Sequence, residues 1–151
     1  TSDSIISAKI GSQKRKSHIM VVHCPLSQHE QRWLDAGIIK FNTGKYWHAH
    51  EDWEEMWKSL KAREVEQRYI LGIQGLIQTT ALMLQYERQK TQGVIKMWSK
   101  LTAKIGTPES PLFEMLWGVD VSKVLQDVLP FHADAIADEP TWNLFPNAVQ
   151  M

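Results

Sequence analysis

The chemistry of this chain is concentrated between Phe41 and Trp57, a stretch that holds two histidines and four carboxylates. On a helix, where each residue advances by about 100°, His50 and Glu54 lie on the border of the apolar face. The other ionisable side chains of the stretch project toward solvent. Imidazole and carboxylate together can bind a divalent cation or exchange a proton with a substrate, so His50 and Glu54 are the candidate functional pair.

This pair needs further ligands if it binds a metal, because zinc takes three or four ligands and manganese or iron takes more. Candidates within the chain are Asn42, Glu51, Gln78 and His132, and a homo-oligomer could supply a second set. We therefore expect His50 and Glu54 to bind a divalent metal of unspecified identity or a small polar ligand. Hydrolase activity is one candidate function of such a site. The order His-Glu-x-x-Glu is similar to the His-Glu-x-x-His of zinc proteases, but no downstream ligand motif follows.

A non-enzymatic alternative explains the same residues. In a structural or interaction module, Glu54 would accept a hydrogen bond from His50, Gln74 or Gln78 and only fix the packing of two helices. The sequence leaves both hypotheses open.

The elements that position the pair follow from local signals. Ser27 and Glu30 have the spacing of a capping box, which predicts the start of a first helix. Gly44 supplies a left-handed corner, and a second helix is predicted from about Tyr46 to Ala62. Gly37 lies on the first helix, where its lack of a side chain would let a neighbouring helix approach closely.

A third helix is predicted to be the hub, because residues 69–86 carry no charge. A membrane span is excluded by its glutamines and threonines, which lipid could not satisfy. Gln74, Gln78 and Gln85 form a row between two apolar patches and predict a wall opposite His50. The predicted ligand pocket consists of Asn42, Tyr46, Trp47, Glu51, Trp57, Gln74 and Gln78.

The remainder of the chain predicts two more helices. A fourth helix runs from Val94 to Ile105, a short helical turn covers Leu112 to Trp117, and Asp120 caps a final helix that Pro130 breaks or kinks. We expect Trp142, Leu144 and Phe145 to pack back onto the bundle, and Trp33, Trp53, Trp57 and Trp98 to lie in the core. The predicted fold is all-α, a compact multihelical bundle of about five helices, with one domain at 26–151 after a disordered leader at 1–25.

Bulk composition limits the partners. Lys plus Arg equals Asp plus Glu at 17 each, which gives no electrostatic reason to expect nucleic acid or an anionic membrane. The single Cys24 is typical of a reducing compartment and excludes a cysteine-based zinc cluster. We predict a cytoplasmic protein.

Two blocks of this sequence resemble a bacterial and archaeal family, the domain of unknown function 309. The family signature His-x-x-x-Glu-x-x-Trp/Tyr reads here as His50, Glu54 and Trp57, preceded by Phe41-Asn42-x-Gly44-x-Tyr46. The second block is Gly75-Leu76-Ile77-Gln78, after which Thr79 and Thr80 stand where alanine is expected. The resemblance covers about half of the chain. It implies a compact helical bundle and a metal-binding role for the His/Glu motif, and it supplies no reaction.

Overall fold

The computed structural model describes residues 24–151. Five helices account for most of this part of the chain: α1 (Gln28–Asn42), α2 (Tyr46–Ala62), α3 (Gln67–Glu87), α4 (Thr91–Ile105) and α5 (Val121–Ala135). Two short strands, β1 (Met115–Leu116) and β2 (Val119–Asp120), form a hairpin before α5, and a 3₁₀ turn spans Pro146–Ala148. The predicted all-α bundle is confirmed. Residues 1–23 of the predicted leader lie outside the described residues.

Helices α1 and α2 begin where the sequence predicts. The Ser27 hydroxyl accepts a hydrogen bond from the Glu30 amide (3.1 Å), while the Glu30 carboxylate accepts one from the Ser27 amide (2.9 Å). Gly44 adopts a φ of +80°, a left-handed conformation that glycine reaches without strain. The corner between the two helices is therefore encoded locally.

A tryptophan fixes the packing of α1 on α2. The Trp53 ring is fully buried against Gly37, and its Nε1 donates a hydrogen bond to the Leu34 carbonyl at 3.3 Å. The close helix approach predicted at Gly37 is confirmed. The other three tryptophans predicted for the core, Trp33, Trp57 and Trp98, are partly buried against it.

Helix α3 lies at the centre of the bundle and packs against α2, α4 and α5. The Cγ2 methyl group of Ile105 sits directly over Gly75, and Phe113 and Leu116 cover Gly72. The buried Thr79 hydroxyl donates a hydrogen bond to the carbonyl of Gly75, so it needs no partner from another helix. Among the helices of residues 24–151, none combines the length and apolar character that a membrane crossing requires.

In the second half of the chain one local prediction is wrong, and a second, that Pro130 breaks or kinks the final helix, is wrong about the break. The segment predicted as a helical turn, Leu112 to Trp117, contains β1, and the turn to β2 uses Trp117 and Gly118, both with positive φ. Helix α5 does not break at Pro130 but continues to Ala135. A proline inside a helix removes one hydrogen bond and crowds the preceding turn. The buried residues on either side of Pro130, Val128 and Phe131, keep the helix on the core. The predicted cap of α5 at Asp120 is confirmed, because its carboxylate accepts a hydrogen bond from the Lys123 amide.

The segment after α5 is held by Asp134. Its carboxylate accepts hydrogen bonds from the Tyr86 hydroxyl (2.6 Å) and from the amides of Thr141 (3.0 Å) and Trp142 (2.8 Å). Burial raises the pKa of Asp134, but these hydrogen bonds outweigh it and lower the pKa to about 2. Trp142 and Leu144 pack against the core as predicted. Phe145 was predicted to do the same and is 79% exposed.

We expect Asp134→Ala to release this segment and to lower the free energy of unfolding by roughly 1–3 kcal/mol, because Tyr86 and two amides lose their acceptor. Urea unfolding gives the free energy, and limited proteolysis reports cleavage after α5. Asp138→Ala is the matched control, since Asp138 is exposed and accepts no hydrogen bond within the described chain. Equal effects of the two substitutions would contradict the role of Asp134.

Candidate functional site

His50 and Glu54 lie side by side on α2. Their closest atoms, His50 Nδ1 and Glu54 Oε1, are 3.7 Å apart, with 19% of the histidine side chain and 44% of the glutamate side chain exposed. The half-exposed indole of Trp47 stacks on the imidazole at 5.5 Å with an interplanar angle of 5°. Trp47 therefore covers His50 on one side and leaves the carboxylate of Glu54 open.

The pair lines a cavity of about 230 Å³ between α2, α3 and α4, which we call the site cavity. Its polar lining consists of His50, Glu54, Trp57, Gln74, Gln78 and Lys100. The apolar lining consists of Ile77, Ala81 and Met97. The predicted opposition of Gln74 and Gln78 to the His50 helix is thus present.

Three residues that line the site cavity each have one polar atom that is inaccessible to solvent and has no hydrogen-bond partner within residues 24–151. These atoms are His50 Nδ1, Trp57 Nε1 and Gln78 Oε1. A fourth such atom, Arg68 Nε, lies outside the cavity and is 3.2 Å from the carboxylate of Glu66, so it has a charge partner despite its poor hydrogen-bond geometry. His50 Nδ1 likewise lies 3.7 Å from a carboxylate oxygen of Glu54, so the two atoms without such a neighbour are those of Trp57 and Gln78.

Other residues predicted for the pocket or as ligands lie elsewhere. The side chain of Asn42 accepts a hydrogen bond from the Met151 amide at 2.7 Å, and Glu51 lies 3.3 Å from His48 on the exposed face of α2. Tyr46 is buried against Phe41, and this burial, with a smaller effect from Glu87, raises the pKa of Tyr46 to about 12. His132 stacks on Trp98.

Helix α4 contributes Met97 and Lys100 to the site cavity, and the sequence reasoning missed both. The two residues are three positions apart and therefore share one helix face, next to the stripe formed by Val94, Trp98 and Leu101. The spacing of Met97 and Lys100 shows that they share one face of α4. It does not show that this face lies opposite His50, because the packing of α4 on α3 determines that position.

The residues of the site cavity do not fit a tight metal centre. Within the described part of the chain, no group of three or more histidine, cysteine, aspartate or glutamate side chains is arranged to hold an ion. Only Gln78, of the additional ligands that the sequence suggested, reaches the same cavity as His50 and Glu54.

A second cavity, of about 390 Å³, adjoins the site cavity and shares Trp57 and Gln74 with it. The other lining residues are Lys61, Glu64, Val65, Gln67 and Ile70. Lys61 Nζ lies 4.2 Å from the centre of the Trp57 ring, which is a cation–π contact. Trp57 thus stands between two cavities.

Comparison with known proteins gives one family. Residues 34–97 match the domain of unknown function DUF309, a segment that covers the second half of α1, all of α2 and α3 and the start of α4. Neither curated proteins nor solved structures give a match. The matched segment contains His50, Glu54, Trp57, Gln74 and Gln78, whereas Lys100 lies outside it. Over residues 34–97, which are less than half of the chain, this protein is similar to the DUF309 family.

Proposed function

We propose that this chain binds a small polar molecule in the site cavity. The observation that carries the proposal is the polar lining of one cavity from three helices, by His50 and Glu54 of α2, Gln74 and Gln78 of α3, and Lys100 of α4. Glu54 and Lys100 bring one charge of each sign to this lining, so an ionised group of a bound molecule would be attracted by one of them.

The packing-only hypothesis expects a different arrangement. It requires Glu54 to accept a hydrogen bond from His50, Gln74 or Gln78, and within residues 24–151 none of these three bonds is formed. A polar cluster that fixes helix packing is normally satisfied by its own members. The missing hydrogen bonds of Glu54 therefore count against the packing-only hypothesis. A further hypothesis is that the His50–Glu54 pair hydrolyses the bound molecule. Once a ligand is found, incubating it with the protein and looking for its hydrolysis products tests this hypothesis.

The Trp57 indole N–H gives a direct readout of binding. We expect a ligand in the site cavity to move this resonance in ¹H–¹⁵N spectra, recorded with a panel of amino acids, dicarboxylates, sugars and phosphate esters, because Trp57 lines the cavity. Trp57→Phe assigns the resonance by removing it. The indole N–H groups of Trp53 and Trp117 are internal controls, because they already bond the carbonyls of Leu34 and Cys24. A panel that leaves the Trp57 resonance unmoved overturns the proposal.

Gln78→Met separates ligand binding from packing by its effect on stability. Methionine has a similar shape and no polar atom to satisfy, so we expect the free energy of unfolding to stay the same or to rise by about 1 kcal/mol. The packing-only hypothesis expects a loss of roughly 1–3 kcal/mol. Urea unfolding measures the difference, and Gln92→Met, at an exposed position of α4, is the control.

A further inference from the structure

We infer that this chain forms a dimer in which an exposed loop of each copy fills a cavity of the other copy. The loop consists of residues 136–140, directly after α5. The cavity, which we call the end cavity, lies where α3 begins and α4 ends, next to the segment that leads to β1. The inference goes beyond the proposed function, because none of these residues lines the site cavity.

The end cavity is an apolar recess with positively charged sides. Its volume is about 260 Å³, and it is lined by Leu71, Ala103, Leu112, Phe113, Arg68 and Lys104. Leu112 is 58% exposed, so apolar surface continues out of the recess. No acidic residue of the described chain contributes to the lining. The end cavity therefore complements an apolar side chain that has a carboxylate beside it.

Lys104 is the cation of the end cavity that lacks a carboxylate. Within residues 24–151 it forms no ion pair, whereas Arg68 lies 3.2 Å from Glu66. Burial lowers the pKa of Lys104, and the charge of the neighbouring Lys100 lowers it further. A carboxylate from another molecule would offset both effects, because it favours the charged form of the lysine.

The loop after α5 carries the complementary groups. Ile136 is 50% exposed, and two exposed acidic residues, Asp138 and Glu139, follow it after one alanine. The amide and the hydroxyl of Thr141 both donate hydrogen bonds to the Asp134 carboxylate, at 3.0 and 2.9 Å, and these bonds close the base of the loop. Because the base is fixed, less conformational freedom is lost when the loop enters a cavity.

The loop that fills the end cavity must come from another copy. Asp134, at the base of the loop, is bonded to Tyr86 in the last turn of α3, whereas Arg68 lies in the first turn. Their separation of 18 residues corresponds to roughly 27 Å along the helix, which a loop of five residues with a fixed base does not span. Two copies side by side, with α3 running in opposite directions, bring each loop to the end cavity of the other. A two-fold axis closes such a dimer.

Sedimentation equilibrium of the full chain at increasing concentration tests the inference. One loop buries much less than the roughly 1,200–2,000 Å² of a stable interface, so we expect a weak dimer that added salt weakens further. Ile136→Ser and Lys104→Glu should each raise the dimer Kd about tenfold or more, since every dimer loses two contacts. The matched controls are Ile39→Ser, at another exposed isoleucine, and Lys96→Glu, at an exposed position of α4 outside the end cavity.

An exchange of charges tests the pairing directly. Asp138→Lys/Glu139→Lys should weaken the dimer as Lys104→Glu does, because each variant brings like charges together at both contacts. An equimolar mixture of these two variants should restore the dimer, since each loop then meets the opposite charge in the facing cavity. A loss caused by misfolding would not be restored by mixing.

Two results overturn the inference without bearing on the site cavity. One is a natural chain that stays monomeric at every concentration, even if octanoate, an apolar carboxylate, shifts the methyl resonances of Leu112 and so shows that the end cavity takes a free molecule. The other is a mixture of the charge variants that dimerises no better than its components.

Discussion

Replacing the buried Glu30 by alanine is expected to destabilise the folded chain by about 3 kcal/mol, near the lower end of the range for breaking a buried ion pair. Glu30 is completely buried, and its carboxylate binds Arg63 through Nη2 at 2.8 Å and Nε at 3.0 Å. It also accepts hydrogen bonds from the Ser59 hydroxyl and the Ser27 amide. The lower end applies because 43% of the Arg63 side chain is exposed, so water can solvate the cation that is left behind.

Chemical unfolding measures this loss, with Glu55→Ala as the control. Glu55 lies on the exposed face of α2 and pairs only with Lys58, also exposed, within the described residues, so its loss should change stability by less than about 1 kcal/mol. A Glu30→Ala protein as stable as the Glu55→Ala protein would contradict the assignment.

The same carboxylate makes stability depend on pH. Burial raises the pKa of Glu30, but the hydrogen bonds from Arg63, Ser59 and Ser27 outweigh it and lower the pKa from 4.5 to about 2. A lowered folded-state pKa contributes stability that is present above pH 4.5 and is lost as the pH falls toward 2. We expect the stability difference between the natural chain and Glu30→Gln to shrink over this range. A constant difference would contradict the shift. Comparison with this variant isolates Glu30 from Asp134, whose pKa is lowered to about the same value.

Glu30 also shows which interactions a sequence can predict. Its capping bond to Ser27 spans three residues and follows from local spacing, and the structure confirms it. Its bonds to Ser59 and Arg63 span 29 and 33 residues, and they depend on how α1 packs against the end of α2. Pairs of residues this far apart produce no periodic pattern in the sequence, so the sequence predicts only the capping role of Glu30.

The candidate site divides in the same way. Helical periodicity predicts that His50 and Glu54 lie close together. The uncharged segment of α3, with glutamines inside it, predicts the glutamine row. Lys100 enters the site cavity only because α4 packs across α3, where Ile105 lies on Gly75. The β-hairpin was missed for a related reason. Its turn places a tryptophan at positive φ, and the indole of Trp117 is held by the Cys24 carbonyl, 93 residues away.

The second large effect is expected at Gly37, where alanine should destabilise the fold by about 3 kcal/mol. A Cβ there would lie 2.1 Å from Trp53 Nε1 and 2.6 Å from two ring carbons, far inside contact distance. The Trp53 ring is fully buried and hydrogen-bonded to Leu34, so it cannot move aside without shifting α2. Because α2 also carries His50 and Glu54, the shift should disturb the site cavity as well.

Gly93→Ala is the matched control, because the added Cβ at this position also makes a contact as short as the one at Gly37. The added Cβ would lie 2.2 Å from Gln85 Oε1, but that atom is the end of a flexible, partly exposed side chain that can rotate away. Alanine is favoured over glycine inside a helix by about 1 kcal/mol, so Gly93→Ala should be neutral or stabilising. Urea unfolding compares the two variants. A Gly37→Ala protein as stable as the Gly93→Ala protein would show that the contact of Trp53 with Gly37 does not fix the distance between α1 and α2. The argument that this contact positions His50 and Glu54 would then fail as well.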